Sequence, residues 1–459
     1  MELRPYQIED AQKLIKFNGT GCFNEQRTGK TPTALETIRL RNLINERVLV
    51  IATASSLYQW KHEYEKWLSV PCVVCVGSPK KRETIVTEEW TNGLVVSLDS
   101  IKITKTSKGM IDTILKMKPK YVILDEAHRI KTPKTAAAKA VFALSKIQYR
   151  LALTGTPAPG KAYDIFSILK FLKPGEYTSE YQFKNNFFIP ERKTIWKGNR
   201  PLNFIEYNNF RPGMDTVLQK ELSTFTTERK RIEVMPWLPE KDYTRIFLEP
   251  TPIQIKELKR LQSSFRIGNI QTQGILDTLI RERQLCLDPG LLDIPGKSPK
   301  TEWIINYIND YPEEPIIIFS KFTSYLKRLY LQLAEKYKLA MIIGETPIKT
   351  REQYKQDFQK GLFNILLINI DAGKEALTLD RAETAIFTDK YPPIGDILQA
   401  EDRFIATTED LKNKPHKIIE LMINGTFDER IYKLLEARQT ETDIINNYNK
   451  YLKKGVVCL

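Results

Sequence analysis

Two successive sets of short apolar runs constrain this chain more than any other feature. Residues 48–53, 72–76, 94–98, 121–125 and 150–154 carry Val, Ile and Leu at consecutive positions. Runs that are apolar on both faces suit strands of a parallel sheet covered by helices on each side. Helical stretches lie between them, as at 33–43 and 135–144. A second set follows at 316–320, 340–343, 364–370, 384–389 and 417–421, with helical stretches at 325–337 and 351–360. The pattern is βαβ repetition, so the expected fold class is α/β with two parallel-sheet domains in tandem. A chain of 459 residues is long enough for two or three such cores.

Residues 174–239 break the alternation. They mix aromatic and basic side chains: Tyr181, Phe183, Lys184, Phe187, Phe188, Arg192, Lys193, Trp196, Lys197 and Arg200. Two readings stay open. The rings form a small private core, or they face nucleic acid as stacking surfaces among cations, with Trp196 and Phe188 as the candidates to stack on a base at a junction. The expected boundaries are 1–173 for the first lobe, 174–239 for an insertion, 240–426 for the second lobe, and 427–459 for a C-terminal amphipathic helix.

Lys and Arg exceed Asp and Glu by 70 − 56 = 14, a positive balance that favours polyanions. No apolar run approaches the roughly 20 residues of a membrane helix, and the start of the chain shows no export signal. Cys72 and Cys75 form a lone C-x-x-C with no second pair or histidines at zinc spacing, so buried thiols are expected there. These features predict a cytoplasmic protein without a membrane partner.

The chemistry concentrates in two segments. Asn24-Glu25-Gln26-Arg27-Thr28-Gly29-Lys30-Thr31 follows a short strand-like stretch and precedes a helix. A phosphate-binding loop needs Gly-Lys-Thr at its end: backbone N–H groups cradle phosphates, Lys30 neutralises them, and the Thr31 hydroxyl holds Mg²⁺. The usual first glycine of such a loop is replaced by Asn24. Downstream, the apolar run 122–124 delivers Asp125 and Glu126 at the carboxyl end of a strand, where ligands bind in open α/β sheets. There Asp125 anchors Mg²⁺ and Glu126 acts as base toward a water. A solvated acidic loop is the bland alternative; the upstream Gly-Lys-Thr argues against it.

Taken in order, these segments resemble superfamily 2 helicases of the Swi/Snf-like branch. Leu3-Arg4-Pro5-Tyr6-Gln7 resembles the motif whose Gln reads adenine. Ser56-Leu57-Tyr58-Gln59-Trp60 resembles motif Ia, a DNA-backbone contact, and Val96-Ser97-Leu98-Asp99-Ser100 resembles motif Ib. Asp125-Glu126-Ala127-His128 is similar to motif II, and Leu153-Thr154-Gly155-Thr156-Pro157 to motif III. Arg283-Gln284-Leu285-Cys286 is similar to a signature ahead of the second lobe. Ile318-Phe319-Ser320-Lys321-Phe322 resembles motif IV, residues 371–379 motif V, and Gln399-Ala400-Glu401-Asp402-Arg403 motif VI.

The resemblance implies two RecA-like lobes with an insertion after the first, and ATP and Mg as cofactors. It implies catalytic roles for Lys30, Glu126, Gln399 and Arg403, with Arg403 as an arginine finger. It places Arg4, Gln7, Glu25, Thr28, Gly29, Lys30 and Thr31 around the nucleotide, and Thr31 and Asp125 on Mg²⁺. It implies a motor on duplex, forked or branched DNA, gripped mainly through the phosphate backbone, and a phage branch-migration type is the specific expectation. An RNA helicase and a weakly hydrolysing binding module stay as alternatives. The chain departs from the family pattern at Ala406, where a second arginine is usual, and at Lys374 and Ala376 in motif V; Arg351 and Arg381 are the substitutes considered for that arginine.

Overall fold

The structure, a computed structural model, describes residues 2–102, 110–158, 161–197, 200–236, 242–373, 379–389, 400–401 and 416–430. The chain divides into two compact units, Met1–Pro236 and Trp237–Leu459.

The strands of the first unit are β1 (Gly19–Cys22), β2 (Val48–Ala52), β3 (Cys72–Cys75), β4 (Gly93–Ser97), β5 (Tyr121–Leu124), β6 (Tyr149–Leu153), β7 (Phe188–Lys197), β8 (Arg200–Phe210) and β9 (Thr226–Thr227). Seven of them form a sheet in the order β3-β4-β2-β5-β6-β1-β9. Every neighbouring pair in it is parallel. Strands β2 and β4 are buried along their whole length. The reason is visible residue by residue. Leu49, Ile51, Leu94, Val96, Val122 and Leu124 feed one core. Their neighbours Val48, Val50, Val95, Tyr121 and Ile123 feed another on the opposite face. A strand that must satisfy two cores has no polar face to show, hence the unbroken apolar runs.

The second unit repeats the logic. Its strands are β10 (Asp242–Leu248), β11 (Arg266–Ile267), β12 (Ile270–Gln271), β13 (Ile316–Ser320), β14 (Leu339–Ile342), β15 (Ile365–Asn369), β16 (Thr384–Phe387) and β17 (Lys417–Ile423). Six form an all-parallel sheet, β10-β17-β16-β13-β15-β14. Ile317, Phe319, Leu366 and Ile368 face one core, and Ile316, Ile318, Ile365 and Leu367 the other. The edge strand β10 has no continuous apolar run: Tyr243 and Phe247 alternate with less exposed neighbours.

Helix starts follow local chemistry. Thr135 caps the helix Ala136–Leu144, its hydroxyl accepting from Ala138 N at 3.2 Å. Thr251 and Gln254 exchange hydrogen bonds across the first turn of the helix Pro252–Ser264, a capping box with proline at its start. Cys22, Cys72, Cys75 and Cys286 are buried free thiols. No helix among the described residues is long and apolar enough to cross a membrane. The expected C-terminal helix falls mostly in 431–459, outside the described residues.

The aromatic region resolves in favour of a core. Phe183 lies 5.5 Å from Phe166 and 4.9 Å from Phe187, ring centre to ring centre. Phe188 lies 4.6 Å from Phe210 and 5.8 Å from Tyr163. Phe166 and Tyr163 precede the insertion, so these rings extend the first unit's own core. Phe188, expected as a ring for stacking on a base, is 1% exposed and cannot reach one. The pressure to bury a Phe at the base of a hairpin outweighs its basic sequence surroundings. Strands β7 and β8 pair antiparallel beyond it. Trp196, the other candidate, lies on β7, and its side chain is outside the described set. Among the described residues, Phe204 and Tyr181 are the exposed rings of the region, at 42% and 67%.

Replacing Phe188 with Ala should cost about 3–5 kcal/mol of stability, measured by denaturant unfolding. The same change at Tyr181 should stay within about 0.5 kcal/mol. Equal effects at the two positions would contradict the burial of Phe188.

Candidate active site

In an all-parallel sheet the carboxyl ends of all strands open on one edge. In the first unit that edge carries three segments. Strand β1 leads into the loop 23–29, β5 into Asp125 and Glu126, and β6 into Thr154. The order β5-β6-β1 sets the loop two strand spacings from the acids, about 10 Å. A triphosphate fits that gap.

The loop ends on the second helix, α2 (Lys30–Leu40), which begins directly after Gly29. Gly29 adopts φ +78°, and a Cβ there would meet the Gln7 amide nitrogen at 2.1 Å. Only glycine allows both the left-handed turn and that approach. The Lys30 ammonium donates to the carbonyls of Asn24 and Glu25, each at 3.0 Å. Thr28 is buried, and its hydroxyl donates to Glu25 O at 2.7 Å. From the first helix, Pro5–Leu14, Tyr6 donates to Thr28 O at 2.7 Å, and the Gln7 amide lies 3.3 Å from the same oxygen. Arg4 sits at the N-cap of that helix, where its backbone N–H donates to Gln7 Oε1 at 2.8 Å. Asn24, in the place of a first glycine, is fully buried and donates to Asp10 at 2.7 Å.

Asp125 and Glu126 stand where β5 ends. Burial pushes the Asp125 carboxyl up to about 6, and the neighbouring Glu126 charge adds to the rise. The indole N–H of Trp60 donates to Asp125 Oδ2 at 2.8 Å, and this bond and the Lys30 charge pull the other way. The Glu126 backbone N–H donates to Asp125 Oδ1 at 2.9 Å. Glu126 itself has φ +47°, a left-handed backbone that a side-chain-bearing residue rarely adopts. Its carboxylate lies 3.3 Å from His128 Nδ1, which lies 3.1 Å from the Thr154 hydroxyl. A bonded chain thus joins the acids to the turn after β6. Gly155 in that turn approaches Gln26, so a Cβ there would sit 3.2 Å from the Gln26 side chain.

Arg4, Gln7, Glu25, Thr28, Gly29, Lys30 and Thr31 therefore gather around one loop. The Lys30 charge is felt at Asp125, which brings Glu126 alongside. The site's chemistry fits a magnesium nucleotide. An ammonium rests on bare carbonyls, ready to turn to a stronger anion. A part-buried carboxylate lacks a full counter-charge and suits a divalent cation. Magnesium bound to phosphates needs only one or two protein oxygens, and Asp125 and the Thr31 hydroxyl are the ones on offer. Gln399, Arg403, Ala406, Lys374 and Ala376 lie outside the described residues.

Arg351 and Arg381 are committed to local carbonyls. Arg351 donates to Thr346 O at 2.8 Å and Gly344 O at 2.9 Å. Arg381 donates to Phe363 O and Asn364 Oδ1. In the second unit, the carboxyl edge gathers residues that are far apart in sequence. Asp389 accepts from Arg283 at 3.1 Å and from the Ser320 hydroxyl at 2.6 Å. Lys321 pairs with Asp371 at 2.7 Å.

Three site residues escaped the sequence reading. Trp60 belongs to a segment expected to touch DNA, yet it is buried against Asp125; Tyr58 is the exposed ring there. Asp10 shares the buried face of the first helix with Gln7, Ala11 and Leu14. An acid on a buried stripe was the available signal. Arg229, which pairs with Asp10 at 2.9 Å, gave none.

The chain matches the profile of the SNF2-related domain over residues 14–291 and that of the helicase conserved C-terminal domain over 299–405. It is 26% identical to the "SWI/SNF-related matrix-associated actin-dependent regulator of chromatin subfamily A member 1" of Mus musculus, over 95% of this chain and 42% of that protein. It is 27% identical to an "Uncharacterized ATP-dependent helicase" of Mycoplasma pneumoniae, over 95% of this chain and 41% of that one. It is 26% identical to the "ATP-dependent DNA helicase DDM1" of Arabidopsis thaliana, over 99% and 62%. The chain thus spans about two fifths of the length of the first two relatives. Among solved structures, the "Sulfolobus solfataricus SWI2/SNF2 ATPase core in complex with dsDNA" is similar at 23% identity, covering 97% of this chain and 93% of that one. Its TM-score of 0.44 is too low to establish a fold by itself. The SNF2-related profile covers more than half of the sequence, on the unit that carries the loop and the paired acids, and the chain belongs to the SNF2-related domain family.

Proposed function

We propose that this chain is an ATP-dependent DNA translocase that couples hydrolysis to movement on duplex or branched DNA, with fork or junction remodelling as its specific task. The observation that carries the reading is the convergence of Lys30, Thr31, Asp125 and Glu126 at one sheet edge of an SNF2-related domain. The positive balance of 14 charges supports a polyanionic track. A relative known as an ATP-dependent DNA helicase favours DNA over RNA.

Each group has a role that its position supports. Lys30 leaves its carbonyls for the β- and γ-phosphates. Thr31 and Asp125 would hold Mg²⁺, which would supply neutralisation of charge on the phosphates. Glu126 orients a water and takes its proton on the carboxylate. Gln7 and Arg4 flank the base end of the loop. From the second lobe, Gln399 and Arg403 are proposed to complete the catalytic set, with Arg403 meeting charge on the γ-phosphate. The exposed part of the β7–β8 hairpin, including Phe204, is proposed to meet a branch point. Stacking on one base is worth roughly 1–3 kcal/mol, comparable to one base-pair step at about 1.4 kcal/mol. That supports opening a junction pair and not sustained unwinding.

The test measures ATP hydrolysis with duplex DNA, junction DNA, single strands and RNA, beside conversion of a four-way junction and unwinding of a long tailed duplex. Stimulation by duplex and junction DNA, with junction conversion exceeding linear unwinding, is expected. Stronger stimulation by RNA would move the chain to the RNA helicases. Hydrolysis indifferent to every nucleic acid would leave a binding module.

Asp125 yields a prediction with a definite sign. The folded carboxyl, at about 6 against an ordinary 3.8, binds its proton more tightly than the unfolded one. Stability of the nucleotide-free protein is therefore undiminished below about pH 4, falls as pH rises to about 6, and stays reduced above. Asp125→Asn removes that buried charge. It should stabilise the nucleotide-free protein by a few kcal/mol at pH 7.5 and by almost nothing near pH 4, while abolishing Mg²⁺-dependent hydrolysis. Denaturant melts at the two pH values check the first part; a loss of stability at pH 7.5 would contradict it.

A further inference from the structure

The segment that leaves the insertion is bonded along the phosphate loop. The helix Met214–Phe225 runs directly into β9, which pairs with β1 through Gly21–Thr226 and Cys22–Thr227. The pairing continues beyond the sheet. Phe23 N donates to Thr227 O at 2.8 Å and Glu25 N to Arg229 O at 3.0 Å. Arg231 N then donates to the Glu25 carboxylate at 2.8 Å. Residues 226–231 thus form a strap along residues 21–25, the entry to the loop.

One side chain ties strap, first helix and loop together. Arg229 donates through Nε to Asp10 Oδ1 at 3.0 Å and through Nη2 to Glu9 at 2.9 Å. Asp10 is 2% exposed, and its other oxygen accepts from the Asn24 amide at 2.7 Å. Asn24 is fully buried and, among the described residues, its own Oδ1 has no partner, so within that set Asp10 is what orients the amide. The Asn24 carbonyl in turn holds the Lys30 ammonium, and so does the carbonyl of Glu25, whose N–H is bonded to the strap. Both carbonyls that place Lys30 therefore depend on the strap.

We infer that Arg229 is a positioning residue for the phosphate loop, acting through Asp10 and Asn24, so that nucleotide affinity is set partly by the segment leaving the insertion. This rests on the loop being the nucleotide site. The physical reason is asymmetric. With Arg229 present, the buried Asp10 charge is matched by a guanidinium and an amide. Without it, an uncompensated buried carboxylate must find water or another donor, and the only side chain already bonded to it is Asn24. Movement of Asn24 displaces the Lys30 cradle. Arg229 touches no reacting atom, so the effect falls on binding rather than on the chemical step.

The experiment titrates the full chain with a ribose-labelled fluorescent ATP analogue and Mg²⁺, and measures KM and kcat for ATP with duplex DNA. Arg229→Gln should raise Kd and KM roughly tenfold, the range seen when an outer partner of a binding group is lost, with kcat within about twofold. Arg229→Lys keeps the charge and loses the planar fork, so an intermediate rise is expected. Adding Asp10→Asn to Arg229→Gln removes the unmatched charge and should recover part of the affinity. A purely structural role would lower the melting temperature and leave Kd and KM untouched in the folded protein; that result overturns the inference. If Arg229→Gln does not fold, Arg229→Lys decides, and wild-type affinity in it overturns the inference. A wild-type chain that fails to bind the analogue sinks the nucleotide-site reading, and this inference with it.

Discussion

Parallel pairing of β5, β6 and β1 is the constraint on which the site depends. It sends the ends of three strands to one edge, so a loop from residues 23–29 and acids from residues 125–126 meet although about a hundred residues separate them. An antiparallel neighbour would send one of these segments to the far side. The apolar cores on both faces of the sheet exist to hold this register, and their alternation along β2, β4 and β5 leaves no residue free to slip. Function rests on the core in that direct sense: the two-sided burial that makes the strands legible also aims their ends.

At the proposed nucleotide site, two charged groups rest on uncharged partners. Lys30 rests on two carbonyls, and Asp125 on an indole N–H and a backbone N–H. Both arrangements leave charge incompletely matched. For Asp125 the consequence is a carboxyl raised by burial and by its neighbour. In the proposed function, a cationic metal bound with polyanionic phosphates would match both charges together. The left-handed backbone at Glu126 belongs to the same economy: it turns the second carboxylate away from the first, toward His128 and the turn after β6.

Most of the fold was legible because its strands are apolar on both faces. β13 begins and ends where the apolar run does, and most other strands differ from their runs by a residue or two at an end. The strands β7 to β12 were not legible, and two of them show different reasons. β9 is Thr-Thr, two residues whose pairing is dictated by β1 rather than by their own hydropathy. β10 lies at a sheet edge with exposed Tyr243 and Phe247, so it lacks the signature of a covered strand. Helix α2 starts three residues earlier than its apolar pattern, because Gly29 supplies the turn that lets Lys30 open the helix. Within the proposed site, the candidates Lys30, Thr31, Asp125 and Glu126 came from local spacing in the sequence. Partners that arrive by tertiary packing were not readable there. Trp60 meets Asp125 across 65 residues, and Arg229 meets Asp10 across 219. Phe188 was misread for the same reason, since nothing in its basic surroundings signals the three rings of Tyr163, Phe183 and Phe210 packed against it.

The central claim is that the loop and the paired acids form one magnesium-nucleotide site. A structure of the chain with Mg²⁺ and a non-hydrolysable ATP analogue tests it most directly. The account predicts that Lys30 Nζ leaves the Asn24 and Glu25 carbonyls for the β- and γ-phosphates, with the metal between the Thr31 hydroxyl and Asp125. A nucleotide bound elsewhere, with Lys30 still on its carbonyls and no metal at Asp125, would contradict it.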